Sequence, residues 1–174
     1  MTRGNIRTRK GEKEVAEQKT NVMRVLEKAG IAFKAYTYDY KDGAIDGVSV
    51  AHKVGQKVEQ VYKTLVTKGA GGSYYVFVLP VAEELDLKKA ARSVGEKSVQ
   101  MIHVNDINKV TGYIRGGCSP VGMKKNYVTV FHEEVVNLPS VVVSGGKIGT
   151  QIELTPTDLI GLVGAKTADI IAGQ

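Results

Sequence analysis

The run Tyr74–Val81 constrains the fold more than any other segment, because both of its alternating faces are apolar. A strand of that kind belongs at the centre of a sheet covered on both sides. A second strand-like run, Val61–Lys68, precedes it across Gly69-Ala70-Gly71-Gly72-Ser73, a hairpin signal. The covering helices are also legible. Val22, Val25, Leu26 and Ala29 recur at helical spacing between Thr20 and Gly30, with Thr20 or Asn21 as the cap. Asp86 is placed to cap another helix, with a stripe of Leu87, Ala90, Ala91 and Val94 and a stop at Gly95.

The remaining elements are shorter. Ile31–Tyr38 reads as a strand and Asp39–Gly47 as a loop, after which Ser49 is the expected cap of a short helix ending near Gly55. Val99–Val104, Tyr127–Phe131, Ser140–Ser144 and Thr150–Leu154 read as strands, and Asn105–Val110 as a short helix. Thr155-Pro156 opens a last helix in the cap-then-proline order. Strands and helices mix without strict alternation, so the pattern predicts an α+β domain built on a curved mixed sheet.

Composition narrows the class. The 174 residues suffice for one sizeable core. A single cysteine excludes an internal disulfide framework. The longest apolar run, Val76–Val81, is far short of the roughly 20 residues a membrane span needs. Charges stand near the N-terminus where a secretory signal needs an apolar stretch. The expectation is a cytoplasmic protein without membrane contact. Of the net charge of +6, half lies in residues 1–14, where Arg3, Arg7, Arg9, Lys10 and Lys13 face only Glu12 and Glu14. Residues 1–18 are therefore expected to form a basic, mobile extension, and residues 19–174 a single domain. Such a tail can attract a polyanion without reading its sequence, or be a plain solvated extension.

Several standard constellations are missing. His52, His103 and His132 are isolated, which argues against a metal site, and no GxGxxG follows a first strand. Gly145-Gly146-Lys147-Ile148-Gly149-Thr150 has residue types of a phosphate loop but not its order. No cofactor is expected. Two features stand out. Lys63 shares a face of its strand with Val61 and Leu65, and so is either a cation aimed into an apolar hollow or an edge lysine that reaches water. The segment Gly112–Gly122 is glycine-rich and contains Pro120, and is either a cradle whose N–H groups converge on an oxygen or a simple turn. Cys118 within it is a nucleophile or, more in keeping with a lone cysteine lacking a nearby His, a small buried hydrophobe.

Four stretches together resemble the YbaK family, related to the editing domain inserted in bacterial prolyl-tRNA synthetases. They are Val61-Tyr62-Lys63-Thr64-Leu65, Leu85-Asp86-Leu87-Lys88-Lys89-Ala90, Thr111–Gly122 and Val143-Ser144-Gly145-Gly146-Lys147. They recur in family order and spacing from about Thr20 to the C-terminus. The resemblance implies a mixed sheet curled toward a barrel and flanked by helices. It implies a trans-acting aminoacyl-tRNA deacylase that removes a small mischarged residue, most of all cysteine from Cys-tRNA(Pro) and Cys-tRNA(Cys). The implied partner is the acceptor end of aminoacyl-tRNA, with prolyl-tRNA synthetase admitted as a second.

By the same resemblance Lys63, Gly116 and Gly117 are the catalytic positions, with Lys63 as a fixed cation and the glycine N–H groups facing the oxyanion. Tyr38, Thr64, Ser119, Pro120, Ser144, Gly145, Gly146, Lys147 and Gln151 are the implied substrate contacts. An aminoacyl ester is already activated, so positioning and oxyanion stabilisation can replace a protein nucleophile. The resemblance also admits attack by the cysteine substrate's own thiolate. Three departures bear on specificity. Gln151 stands where the family often has Asp, Ile148 where Arg is common, and Gly43-Ala44-Ile45-Asp46-Gly47 lacks the usual phenylalanine. The rival expectation is a module that binds aminoacyl-tRNA or its synthetase without turnover. A cell-envelope regulator would need a secretion or anchoring signal.

Overall fold

The computed structural model describes residues 19–173, so the extension expected over residues 1–18 lies outside the described residues. The order of elements is α1 (Asn21–Lys28), β1 (Lys34–Thr37), α2 (Gly47–Lys53), β2 (Tyr62–Gly69), β3 (Tyr74–Pro80), α3 (Leu87–Val94) and β4 (Val99–Met101). It continues with α4 (Ile107–Thr111), β5 (Val128–His132), β6 (Val141–Ser144), β7 (Thr150–Leu154), α5 (Pro156–Val163) and β8 (Lys166–Ala168).

The doubly apolar run is indeed the central strand. β3 lies between β2 and β5 in a five-stranded sheet of order β4-β2-β3-β5-β8. Its antiparallel pairing to β2 and parallel pairing to β5 make that sheet mixed. Val76 and Val78 enter one core with Met23, Leu26 and Phe131, while Phe77 and Leu79 enter another with Ala90, Val130 and Ile170. These four β3 side chains are fully buried. Each such burial stabilises the fold by about 1.5–3 kcal/mol.

Caps behave as chemistry requires. Thr20 Oγ1 accepts the Met23 N–H at the start of α1, and Asp86 accepts from Lys88 and Lys89 at the start of α3. The cap of α2 differs from expectation. Asp46, not Ser49, fills that position, and its carboxylate accepts both the N–H and the hydroxyl of Ser49. A carboxylate is the stronger acceptor at a helix N-terminus, where the dipole favours negative charge.

The expected barrel-like curl is overturned. β1, β7 and β6 form a separate three-stranded antiparallel sheet, and neither sheet closes. A barrel needs an unbroken ladder around its circumference. Here the two sheets meet through one parallel bridge, Val61 to Val142, and β1 is bonded only to β7. The architecture is α+β, with one open mixed sheet, one small antiparallel sheet and helices against them. The seam between β2 and β6 is left unzipped, and it is there that a cavity forms. Among the described residues no helix is long and apolar enough to cross a membrane.

Candidate active site

A cavity of ≈ 350 Å³ opens at this seam. β2 is bonded by β3 along its length but by β4 only from Thr67 onward, so its first half has an open side toward the small sheet. That open side explains why residues of both faces of β2 reach the cavity, Tyr62 and Thr64 from one and Lys63 and Leu65 from the other.

Lys63 is half-buried, and its Nζ donates to the Val81 carbonyl at 3.4 Å. Burial pulls its pKa below the ordinary 10.5, while Glu84 and Glu83 pull in the opposite direction. It thus meets both sequence readings partway, a cation on the unpaired side of a strand that also projects into an apolar wall.

Two residues that line the cavity each carry an orphaned polar atom. Thr64 Oγ1 and Gln151 Oε1 are buried with no hydrogen-bond partner. Such atoms cost stability unless something donates to them. Tyr38 and Ser144 line the same cavity, Ser144 accepting the Gly146 N–H at 3.2 Å and so keeping its own proton to give. Gly116, at φ +86°, also lines it.

The other residues singled out in the sequence lie elsewhere. The Gly117 N–H is already donated to the Ile114 carbonyl at 3.0 Å, which removes it as an oxyanion donor in this arrangement. Gly117 is needed for space instead, since a Cβ there would sit 2.8 Å from the Lys147 Cα. Ser119 is fully buried and its Oγ accepts the Val121 N–H, so it shapes the loop. Pro120 is buried beside a different groove with Val121 and Tyr127. Gly145 and Gly146 build the turn after β6, the former bonded to the Thr150 carbonyl, and neither lines the cavity. The Lys147 side chain is exposed and outside it.

The structure adds residues that periodicity did not single out. Ile45, Arg115, Met101 and Val104 all line the cavity. Gly116 lies between Ile45 and Ile148, so close that a Cβ would meet them at 3.3 and 3.2 Å. The altered loop and Ile148, two of the three departures, therefore pack at one point, and the third, Gln151, faces the same cavity. Cys118 lines the cavity as well, but burial pushes its thiol up to about 11 and keeps it protonated near neutrality. No histidine lines the cavity, and among the described residues no group of His, Cys, Asp and Glu could hold a metal ion. What the site offers is a cation, a turned-in backbone loop and unpaired acceptors, with no activated nucleophile.

Residues 45–162 match the aminoacyl-tRNA editing domain. The chain is 42% identical over 158 residues to EbsC of Enterococcus faecalis, named as a Cys-tRNA(Pro)/Cys-tRNA(Cys) deacylase; the match covers 91% of this chain and 96% of that one. Among solved structures, one described as a trans-editing enzyme for prolyl tRNA synthetase superposes with a TM-score of 0.77 at 30% identity, covering 87% of this chain and 95% of the other. The protein APE2540 shares the fold, with a TM-score of 0.79 at 23% identity over 87% of this chain and 99% of its own.

Proposed function

The chain belongs to the family of aminoacyl-tRNA editing domains, and from that premise we propose that it is a trans-editing deacylase. It releases cysteine from mischarged Cys-tRNA(Pro), and from Cys-tRNA(Cys). The observation that carries this reading is the pair of buried, unpartnered acceptors, Thr64 Oγ1 and Gln151 Oε1, in a cavity that Lys63 and Gly116 also reach.

An aminoacyl ester fits that set of groups. Its α-ammonium brings N–H donors to the two orphan acceptors. Gln151 offers a neutral carbonyl where the family often has a carboxylate, so it recognises the ammonium by hydrogen bonding without full charge pairing. Lys63 holds the ester region or the terminal phosphate as a fixed cation. The Gly116 N–H faces the carbonyl oxygen, whose charge grows in the transition state. Ile45, Val61 and Leu65 leave room for a small side chain and exclude a bulky one, the logic of a second sieve.

The chemistry needs no protein nucleophile. In a cysteinyl ester the substrate thiol attacks its own carbonyl carbon. A C–S bond forms, the C–O bond to ribose breaks, and the thiol proton ends on the ribose oxygen. The products are a thiolactone and free tRNA. With water as attacker the product is free cysteine. The partners follow from the substrate: the acceptor end of tRNA, and prolyl-tRNA synthetase as a source of tRNA selectivity that a domain of this size does not itself need.

Single-turnover deacylation of Cys-tRNA(Pro), Cys-tRNA(Cys) and Ala-tRNA(Pro) tests the assignment. Fastest release of cysteine is the expected result. Preference for alanine would move the substrate and assign the change to Gln151 and the Ile45 loop. Binding of every charged tRNA with no release from any would leave a binding module. Recovery of free cysteine alone, under conditions where thiolactone survives, would exclude the cyclisation route.

A further inference from the structure

Beside the cavity runs a second groove of ≈ 520 Å³, and the two share Met101 and Ile102 as a common wall. We propose that this groove holds the unpaired nucleotides directly upstream of the esterified adenosine, with Tyr74 as the stacking platform and Lys68 as the phosphate contact. The inference rests on the deacylase reading for the identity of the strand, and on geometry for its place.

The register makes the groove continuous with the site. Lys68 lies opposite Tyr74 on β3 and opposite Gln100 on β4, so the three side chains stand abreast on one face of the sheet. Thr64, four residues earlier on β2, shares that face, about 13 Å away at ordinary strand rise. The Ile102 N–H is donated to the Val66 carbonyl at 3.2 Å, which keeps the wall between the two hollows fixed to β2. A chain leaving the cavity past Ile102 therefore meets Lys68 and Tyr74 next.

The chemistry of the lining suits a single strand. The Lys68 ammonium sits 5.6 Å from the centroid of the Tyr74 ring, and that ring is held edge-on to Tyr127 at 6.0 Å. Lys68, the cation over the ring, is exposed. A base can displace the ammonium from the ring and leave it to meet the neighbouring phosphate. His103 adds an exposed imidazole, and Gln100 a side chain able to donate and accept. The groove's carboxylate, Asp106, is paired with Lys109 at 3.4 Å. Met101 is 47% exposed at the shared wall, an apolar surface that a base can cover.

Binding tests this without relying on turnover. The probes are an uncharged minihelix carrying the tRNA(Pro) acceptor stem with its single-stranded 3′ end, and the same stem with that end removed. Tyr74→Ala is expected to weaken binding of the full minihelix about 5- to 100-fold, down to the level of the truncated one, and Tyr74→Phe to restore it. Lys68→Gln is expected to flatten the salt dependence of the full minihelix by about 0.7 in log–log slope. Equal effects on both probes, or none on either, would overturn the groove. A protein that binds the full minihelix in this way yet hydrolyses no charged tRNA would remove the deacylase reading and leave the groove in place.

Discussion

Burial holds the Lys63 ammonium below its ordinary pKa, so the folded chain carries this charge at a cost to its stability. The folded value is lowered, so the deficit is complete at pH below that value and disappears only as pH rises past 10.5. At neutral pH Lys63→Met is therefore expected to raise Tm while abolishing deacylation, the pattern of a residue kept for function; thermal unfolding at pH 7 checks it. A lowered Tm would mean that the Val81 contact makes the lysine a structural part. The sequence carried Lys63 as an open choice because strand alternation tells which residues share a face, but not whether the strand's other side is paired. Thr64, Ser144, Tyr38 and Gln151 were reachable only through family resemblance, and the structure gathers them around the same cavity. Arg115 and Ile45 escaped because loop residues follow no period.

One short loop borders the cavity through Ile45. Lys53, on α2, donates to the Asp39 carbonyl at 2.6 Å, the Asp42 carboxylate at 2.8 Å and the Ala44 carbonyl at 3.0 Å. This clamp fixes residues 39–45 and sets Ile45 against Gly116. Lys53→Met is expected to free the loop, raising KM for the charged tRNA more than it lowers kcat, with faster proteolysis near Gly43 as the structural readout. Unchanged KM and proteolysis would remove the clamp's role. The Lys53 bond holds the Asp42 carboxyl below its ordinary 3.8. A depressed carboxylate stabilises the fold above its unfolded pKa, and that contribution is lost as pH falls through the folded value. The wild-type loop is thus expected to stay closed from neutrality to below pH 3.8. In Lys53→Met the acid-induced opening should be absent, because the loop is already open. Helix stops and caps were legible because each depends on a few neighbouring residues, as with Thr20 and Asp86. The cap of α2 was misplaced by three residues because Asp46 and Ser49 are both good cap residues and bond to each other.

At the scale of the molecule, the site exists because the fold does not close. Central β3, the hairpin to β2 and the flanking helices could be read from alternation and glycine placement. Whether the sheet curls shut could not, since that depends on contacts between β2 and β6, far apart in sequence. Among the described residues Val61 to Val142 is the one backbone bridge across that seam, with Gln60 donating to Ser140 beside it, and the cavity opens next to them. Gly117 packs against the turn after β6, where a Cβ on it would meet the Lys147 Cα at 2.8 Å. Gly117→Ala is expected to cost on the order of 1–3 kcal/mol in urea unfolding and to depress deacylation as the two loops separate. Wild-type stability and activity would show that the loops do not depend on that contact. In the proposed reaction a positioned cation and a backbone loop, without a protein nucleophile, release cysteine from tRNA. Single-turnover deacylation of Cys-tRNA(Pro) by wild type, Lys63→Ala and Cys118→Ser tests it most directly. A loss of about 100-fold or more is expected with Lys63→Ala, and a wild-type rate with Cys118→Ser. A wild-type rate without Lys63, or an inactive Cys118→Ser that still folds and binds charged tRNA, would contradict it.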